Sequence, residues 1–239
     1  MFSTMLRAVI SATRPLYHFV YPPFCHVCGD ATSQRIESVC ENCWRSIKLV
    51  TPENSLLHQA TERLCVHGSC SAVVADCVFE EDGALQQIIH MLKYGGMTSL
   101  GIALGKRLGH RLEADFTHAA INGIIPIPLH RTKERERGYN QAVLIARGVS
   151  SSTGIPLLNS LLRRRKFTVT QTRLTAEERR RNVEGAFVVN ISSYTSVRGK
   201  RFVLVDDVIT TGATTEAAAR VLVAAGALPP VACAVALAE

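Results

Sequence analysis

The sequence contains few aromatic residues: phenylalanine, tyrosine and a single tryptophan together account for 6% of its 239 residues. No basic stretch is interleaved with aromatic residues, the pattern that stacks single-stranded bases, so a base-stacking nucleic-acid module is disfavoured. Low-complexity tracts and internal repeats are also absent. The length and the 47% hydrophobic content favour one compact domain of α/β size with a small appendage.

Long uninterrupted apolar runs are missing as well. Segment 1–21 has apolar residues at helical spacing, but arginines interrupt it and it lacks the apolar core of a signal peptide. We predict an amphipathic helix there that packs on its own protein, with a membrane-surface helix as the alternative. The longest apolar stretch, 221–238, contains Gly226, Pro229 and Pro230, which exclude a single membrane-spanning helix. We therefore expect a cytoplasmic protein without membrane insertion.

Positive charge is concentrated in three clusters. The formal net charge is +7, and the basic residues gather at His130–Arg137, Arg163–Lys166 and Arg179–Arg181. A single run of this kind is typical of a solvated loop or helix face. Three runs flanking one predicted sheet favour an anionic partner, either a phosphate-bearing metabolite or a nucleic acid.

Four of the eight cysteines form two closely spaced pairs, Cys25-x2-Cys28 and Cys40-x2-Cys43. Each pair places two thiolates on one tight turn, and two such turns complete the tetrahedron of a structural zinc site. Because four cysteine ligands leave no open position, a catalytic zinc is disfavoured. Disulfides in a secreted domain are the alternative, which the lack of a signal peptide disfavours.

A second cysteine segment, LCVHGSC, offers Cys65, His67 and Cys70 but no clear fourth ligand. A second metal site and ordinary turn residues both remain open for it. We place the zinc-binding domain at 22–71, with this segment at its end.

From residue 72 onward, strand-like and helix-like stretches alternate. This order predicts a parallel sheet with helices on both faces, in which ligands bind at the carboxyl ends of the strands. The predicted strands are 73–79, 123–129, 157–162, 202–205 and 231–237, and the predicted helices are 84–94, 99–112, 141–149 and 214–225.

The stretch RFVLVDDVITTGATT, residues 201–215, places two adjacent acids after an apolar strand and before a helix. An ordinary strand end, turn and helix cap would use these residue types. A sugar-phosphate site would use them as well, because helix N-terminal N–H groups bind phosphate and carboxylates accept hydrogen bonds from vicinal hydroxyls. The residues predicted for such a site are Asp206, Asp207, Thr210, Thr211, Gly212, Ala213 and Thr214.

The string VLVDDVITTGAT resembles the 5-phosphoribosyl-1-diphosphate (PRPP) binding motif of type I phosphoribosyltransferases. The rest of the chain narrows this resemblance to the ComF family, from about residue 22 to residue 237. The segments that carry it are the two cysteine pairs, LKYGG (92–96), IPIPLH (125–130), RGYNQA (137–142) and QTRLTAEERRRNVEGAF (171–187).

The resemblance implies a type I phosphoribosyltransferase fold over 72–239, with a hood at about 163–187, preceded by a zinc ribbon. In relatives of known chemistry a nucleophile displaces pyrophosphate from the anomeric carbon of PRPP, with Mg²⁺ on the diphosphate. The resemblance also implies that Asp206 and Asp207 contact the ribose hydroxyls and that Thr210–Thr214 wrap the 5′-phosphate.

Candidate residues for the pyrophosphate end are Arg131 and Arg137, with Arg137 counted among the catalytic residues. Gln171, Arg179 and Asn182 are candidates on the hood. Each has an ordinary alternative: Arg137 could pair with Glu134, and Asn182 could cap a helix.

Two further pairs of residues stay open. Asn140 and Gln141 could bind substrate or cap a helix. Lys133 and Lys166 are candidates for a lysine on the departing pyrophosphate.

Two classes of function follow. The first is a phosphoribosyltransferase that uses PRPP and an acceptor not identified by the sequence. The second is implied by the resemblance, because members of the ComF family are associated with DNA uptake. It is a non-catalytic protein that handles nucleic acid, with single-stranded DNA as a partner, and it would account for the same basic clusters.

Overall fold

The computed structural model describes residues 24–31, 38–115, 121–165, 185–190 and 197–239. The chain divides into two compact units, Met1–Ile47 and Lys48–Glu239. The helix predicted over 1–21 lies outside the described residues.

The first unit is built around its cysteines. A turn after Cys25 brings Phe24 and Ala31 together in an isolated antiparallel bridge, and helix α1 (Glu41–Arg45) begins directly after Cys40. Val39 and Ile47 are buried, as are Cys25 and Cys43.

The second unit is organised by a four-stranded, all-parallel sheet in the order β1-β6-β5-β2. All seven residues of β6 are buried, as expected for a strand covered on both faces. A separate antiparallel pair joins β3 and β4. The strands are β1 (Ala72–Val78), β2 (Gly123–Pro126), β3 (Leu162–Arg164), β4 (Phe187–Val189), β5 (Phe202–Ile209) and β6 (Val231–Leu237).

Helices cover both faces of the sheet. One apolar cluster joins Phe202 and Leu204 of β5 to Ala218 and Leu222 of the last helix. Because side chains alternate along a strand, the residues between them in β5 face the other side of the sheet. No helix in the described part of the chain is both long and apolar enough to span a membrane. The helices after α1 are α2 (Ser55–Thr61), a π-helical turn (Glu62–Val66), α3 (Ala84–Tyr94), α4 (Thr98–Asp115), α5 (Arg131–Arg137), α6 (Gln141–Thr153) and α7 (Ala213–Ala224).

Glycines allow α4 and α6 to approach each other at backbone distance. A Cβ on Gly105 would lie 2.0 Å from the carbonyl oxygen of Ile145, and one on Gly148 would lie 2.3 Å from that of Ile102. This close contact fixes α6, whose first turn faces the candidate site described below.

The structure differs from the sequence prediction at several elements. Strand β2 ends at Pro126 instead of residue 129, and α6 continues to Thr153 instead of ending at residue 149. Helix α2 and strand β4 were not predicted. Strand β5 continues to Ile209 because Asp206 and Val208 pair with Ala234 and Ala236 of β6. Leu157 makes only an isolated bridge to Ile124, so the predicted strand 157–162 is replaced by a later one. The basic run at 131–137 forms helix α5, which has no buried residue and hence no apolar pattern to predict it.

Residues 48–71, which the sequence analysis assigned to the zinc-binding domain, lie in the second unit. Val50, Leu64 and Cys70 are buried in the same apolar cluster as the sheet. Burial of these side chains explains why this stretch belongs to that unit.

Candidate functional site

The two cysteine pairs converge on one point in the first unit. The sulfur atoms of Cys25, Cys28, Cys40 and Cys43 all lie within 4.8 Å of one another. The Cys25–Cys43 and Cys28–Cys40 distances are both 3.8 Å. Four sulfurs placed tetrahedrally at about 2.3 Å from zinc are about 3.8 Å apart, so the arrangement fits a four-thiolate zinc site.

Backbone N–H groups prepare Cys25 for this role. The amides of Val27 and Cys40 donate to its sulfur at 3.4 and 3.3 Å. Burial alone would raise the pKa of the Cys25 thiol, but these backbone hydrogen bonds lower the pKa to about 6. The thiolate is the form that binds zinc.

Within the described ranges, the second cysteine segment does not gather the ligands of a metal site. Among the described residues, the four ribbon cysteines are the one group of three or more ligand side chains close enough to share an ion. Burial raises the pKa of Cys70 to about 12 and also raises the pKa of Cys65, which disfavours the thiolate form. Ordinary turn residues, the other alternative for this segment, agree with the described part of the chain, and a metal site over Cys65, His67 and Cys70 stays a prediction.

In the second unit, Asp206 and Asp207 lie within the last half of β5 and point to opposite faces of the sheet. Asp207 is 6% exposed. Its amide donates to Asp206 Oδ1 at 2.9 Å, and the amide of Val208 donates to Asp207 Oδ1 at 2.9 Å. The carboxylates are therefore fixed by the strand that carries them.

Asp207 is the centre of a charged network. Lys93 Nζ, from the end of α3, lies 2.5 Å from Asp207 Oδ2. Gln141 Nε2, from the start of α6, donates to the same oxygen at 3.4 Å. Lys93 belongs to the LKYGG segment, so two segments of the family resemblance meet at one carboxylate.

The two acids differ in their protonation. Burial, and then the neighbouring charge of Asp207, raise the pKa of Asp206 well above its usual range. Burial would also raise the pKa of Asp207, but the ammonium group of Lys93 holds it below the usual value. The surroundings therefore favour the protonated form of Asp206 and the ionised form of Asp207.

Arg137 joins this network from the end of α5. It donates to Gln141 Oε1 at 2.9 Å and to the hydroxyl of Tyr94 at 3.3 Å. Its guanidinium also lies 5.1 Å from the centre of the Tyr94 ring. No ion pair joins Arg137 to Glu134, although both residues are described, so the alternative pairing is not formed.

Asn140 has a structural role. Its Oδ1 accepts from the amide of Ala142 at 3.0 Å and caps α6, and its Nδ2 donates to the carbonyl of Ile127 at 3.0 Å. These bonds tie the start of α6 to the end of β2. Gln141 is thereby positioned to bridge Arg137 and Asp207.

The loop after β5 leads into α7 with the geometry of an anion site. Gly212 is the N-cap residue and has a φ of 74°, a conformation that favours glycine. The first helical bond runs from the amide of Glu216 to the carbonyl of Gly212 at 2.8 Å. The amides of 213–215 therefore precede the helical bonds, and the Thr211 hydroxyl lies 3.5 Å from the first of them.

A cationic groove lies between α5, α6 and the β3–β4 pair, with a volume of about 1170 Å³. Glu134 is the one acidic residue among the described residues that line this groove. Arg164, one of the lining residues, also interacts electrostatically with Asp206. We call this groove the arginine groove; its basic lining residues are His130, Arg131, Arg147, Arg163, Arg164 and Arg165.

Lys133 lies close to the same positive charges. Burial, and then the nearby cations of Arg137 and Arg164, lower its pKa. Lys166 and the hood candidates Gln171, Arg179 and Asn182 lie outside the described residues. The predicted roles of all these residues stay predictions.

Sequence reasoning missed Lys93 and Tyr94 as site residues. Lys93 closes α3, where a lysine ordinarily interacts with the helix dipole in solvent, and Tyr94 is 66% exposed. The available signal was their place in LKYGG, one of the segments that carried the family resemblance.

Comparison with known protein families gives two matches. A phosphoribosyl transferase domain matches residues 138–239, which include β5, the loop after it and α7. A double zinc ribbon domain matches residues 16–54, which include the four converging cysteines.

Individual proteins give similar results. Competence protein F of Haemophilus influenzae is 45% identical over 91 residues, which cover 38% of this chain and 39% of that protein. The DNA utilization protein YhgH of Escherichia coli O157:H7 is 30% identical over 204 residues, 80% of this chain and 85% of that protein. Among solved structures, a glutamine PRPP amidotransferase from B. subtilis has 23% identity and a TM-score of 0.38 over 57% of this chain and 26% of that one.

The long match to the E. coli protein and the two domain matches agree with the geometry of the ribbon and the sheet. A zinc ribbon with four cysteines precedes a parallel-sheet phosphoribosyltransferase domain. The chain therefore belongs to the ComF family.

Proposed function

We propose that this protein binds PRPP with Mg²⁺ and transfers its phosphoribosyl group to an acceptor, with release of pyrophosphate. The observation that carries the proposal is the arrangement around β5. A fixed acid pair lies beside a network of Lys93, Gln141 and Arg137, and the strand leads into the glycine-capped start of α7.

In this proposal the second half of β5 binds the ribose of a ribose phosphate, and the loop that follows β5 binds its 5′-phosphate. The carboxyl groups of Asp206 and Asp207 accept hydrogen bonds from the ribose hydroxyls. The 5′-phosphate accepts from the amides at the start of α7 and from the hydroxyls of Thr210, Thr211 and Thr214. The raised pKa of Asp206 and the ammonium group of Lys93 beside Asp207 both lessen the repulsion between the acid pair and a polyanionic substrate.

The proposed reaction is a displacement at the anomeric carbon. The acceptor's lone pair forms a bond to that carbon, the bond to the diphosphate oxygen breaks, and its electron pair leaves with pyrophosphate. The proton displaced from the acceptor passes to water. Stabilising the negative charge on the leaving group lowers the barrier.

Lys93 and Arg137 are the cations that we assign to the diphosphate. Both already contact the network of Asp207, so a bound diphosphate would lie beside the acid pair without long side-chain movements. Bound Mg²⁺ would add charge neutralisation of the leaving group. The oxygen donors of the acid pair suit this hard cation, which otherwise keeps substrate oxygens and water as ligands.

The direct test is calorimetric titration of the protein with PRPP and Mg²⁺. Replacing both acids, Asp206→Ala with Asp207→Ala, removes acceptors for two hydroxyls. Because charged hydrogen bonds contribute about 1.5 to 3 kcal/mol each, the affinity should fall by about two orders of magnitude or more. Asp115→Ala, which removes an acid at the end of α4 paired with Arg111, is the matched control.

Two results would contradict the proposal: no PRPP binding by the wild-type protein, or equal binding by the double variant. Pyrophosphate release from PRPP, measured with a panel of nitrogen and oxygen nucleophiles, then tests the transfer step. Binding without release from any acceptor would limit the function to PRPP recognition.

The arginine groove favours a second candidate function, the handling of single-stranded DNA. Five arginines and His130 line it against one acid, Glu134, and Arg163 and Arg165 are exposed. The similar proteins named for competence and DNA utilization support the same reading. A phosphate backbone would bind such a groove through charge, with little dependence on base sequence.

Binding of a single-stranded oligonucleotide across a salt series separates the two candidates. Each phosphate contact contributes about 0.7 to the log–log salt slope, so Arg163→Ala with Arg165→Ala should reduce the slope by about 1.4. Arg63→Ala, which removes an exposed arginine beside Gln59, should leave it unchanged. Steep, tight DNA binding without PRPP binding would replace the transferase by this candidate.

We also propose a structural role for the zinc and a cytoplasmic location. Four cysteines occupy every position of a tetrahedral ion, which leaves none for a substrate. Thiolate ligands persist in a reducing compartment.

A further inference from the structure

A buried carboxylate on α7 has no role in the proposed reaction. Glu216 is 9% exposed, and its carboxylate accepts from the Ser69 amide at 2.9 Å, from the Ser69 hydroxyl at 3.3 Å and from Arg220 Nε at 2.6 Å. Ser69 lies 147 positions earlier in the sequence. Burying an ionised group is costly unless it is fully hydrogen-bonded, so this contact calls for an explanation.

The partner of Glu216 is the segment Leu64–Cys70, which contains the cysteines Cys65 and Cys70. The segment is closed by a bond from the amide of Cys70 to the carbonyl of Leu64 at 2.9 Å. A Cβ on Gly68 would lie 2.4 Å from Glu216 Oε2 and 2.5 Å from the carbonyl of Leu64. Glycine at position 68 is therefore what allows the segment to reach the carboxylate.

The same segment contacts the proposed phosphate loop directly. Leu64 is 1% exposed, and a Cβ on Gly212 would lie 2.9 Å from its Cδ2. The loop is therefore backed by a buried side chain at the residue that caps α7. The segment holds α7 at two points, by packing at Gly212 and by hydrogen bonds at Glu216.

These two points enclose the first turn of α7. The amide of Glu216 makes the first helical bond, to the carbonyl of Gly212. The amides of 213–215, which precede the helical bonds, therefore lie between the two contacts. Backbone donors bind an anion well only when their directions are fixed before it arrives.

We propose that Glu216 is a positioning residue: through Ser69 it fixes the first turn of α7 against the segment Leu64–Cys70, so that the amides of 213–215 keep the geometry that takes a 5′-phosphate. This inference rests on the proposed function. It assigns the segment around Cys65 and Cys70 a structural task at the phosphate loop.

The charge of Glu216 does not oppose this role. Its carboxylate is paired with Arg220, the residue one turn further along α7, and accepts two further hydrogen bonds from Ser69. A carboxylate in the first turn also interacts favourably with the helix dipole. An acid at position 216 can thus hold Ser69 and Arg220 together while leaving the phosphate loop free.

Calorimetry of Glu216→Ala with two ligands tests the proposal. Ribose 5-phosphate should bind about tenfold more weakly, because loss of loop geometry affects the phosphate end. Magnesium pyrophosphate, which does not use that loop, should bind as it does to the wild type. Glu216→Gln, which keeps an acceptor for Ser69, should recover much of the ribose 5-phosphate affinity.

Glu62→Ala is the matched control, because it removes an exposed carboxylate of the π-helical turn that faces His67 and not α7. It should leave both affinities unchanged. Equal loss of both ligands in Glu216→Ala would indicate general unfolding and would overturn the positioning role. Wild-type affinity of Glu216→Ala for ribose 5-phosphate would overturn it as well.

Hydrogen exchange of the unligated protein distinguishes failure of this inference from failure of the proposed function. The amides of 216–218, the first that helical bonds protect, should exchange about tenfold faster in Glu216→Ala than in wild type. If the wild type binds no ribose 5-phosphate, the proposed function fails, and the exchange rates still decide whether Glu216 fixes the helix start. Unchanged exchange would refute the positioning role.

Discussion

The buried side chains of the two units differ in kind. In the first unit two of the ribbon cysteines, Cys25 and Cys43, are buried, as are Val39 and Ile47. In the second unit the whole of β6 is buried, and the apolar cluster extends from Val50 to Leu237. The described part of the ribbon thus buries as many cysteines as aliphatic residues, so we expect its fold to depend on ligands, whereas the sheet depends on packing.

This difference also indicates which of the two units can hold a substrate site. The ribbon thiolates complete a tetrahedron and leave no position for a substrate. The sheet supports a charged network at Asp207 because packing around it holds each partner in place. A buried charge persists in such a site only with its partners.

The largest expected effect comes from removing one ribbon ligand. Cys40→Ser should reduce bound zinc from about one ion per chain to nearly none. Because zinc binding supplies about 10 to 16 kcal/mol of folding free energy in small zinc domains, the ribbon should unfold. Metal analysis and the fluorescence of Trp44, the one tryptophan of the chain, measure both changes in the first unit.

The melting transition of the sheet domain should persist in this variant, which sharpens the contrast between the units. Cys65→Ala is the control, since that thiol belongs to no metal group among the described residues. Full zinc content in Cys40→Ser would contradict the four-cysteine site.

A smaller effect is expected from disturbing the packing of the sheet domain. In Gly105→Ala the new methyl would lie 2.0 Å from the carbonyl oxygen of Ile145. Neither backbone can move aside cheaply, so α4 and α6 must separate, at a cost of about 3 kcal/mol in the free energy of unfolding. Denaturant titration measures this cost.

Lys106→Ala, an exposed substitution on the same helix, should change the unfolding free energy by less than about 0.5 kcal/mol. Gly105→Ala should also leave zinc content unchanged, the reverse of the result expected for Cys40→Ser. Wild-type stability of Gly105→Ala would show that the two helices tolerate more separation than their contact distance implies.

The sequence predicted the sheet well where apolar periodicity was strong. The bounds of α3 and β6 are those predicted, and the carboxyl-end location of the acids followed from the alternation of elements. The zinc site followed from ligand spacing alone, because metal geometry depends on a few side chains at fixed separations.

The failures lie where tertiary contacts outweigh local pattern. β5 runs through its two acids because pairing with β6 continues beyond them. Lys93 looked like a solvated helix end, and its contact with Asp207 joins residues 114 positions apart, the difference between 207 and 93. The segment Leu64–Cys70 meets α7 through a similar long-range contact, which no spacing rule reveals.

The smallest effects should come from the two acids, and they should have opposite signs. The pKa of Asp206 is higher in the folded protein than in the unfolded chain, where an aspartate has a pKa of about 3.9. The wild-type protein therefore loses stability as the pH rises from the unfolded-state pKa toward the folded-state pKa. Asp206→Asn removes this loss and should raise the unfolding free energy at pH 7 by about 1 kcal/mol. The gain should vanish below about pH 4.

The pKa of Asp207 is lower in the folded protein than in the unfolded chain, because Lys93 favours its ionised form. The stabilisation by Asp207 is therefore present above the unfolded-state pKa and is lost as the pH falls through the folded-state pKa. Asp207→Asn leaves Lys93 without its carboxylate and should lower stability by about 2 kcal/mol at pH 7, with little effect at pH 3. Denaturant titrations at pH 3, 5 and 7 measure both differences, with Asp115→Asn as the control for an exposed acid. Effects of the same sign for the two variants would refute the unequal protonation of the pair. Opposite signs would mean that the sheet domain keeps Asp206 at a cost in stability, as expected where a residue is retained for binding rather than for packing.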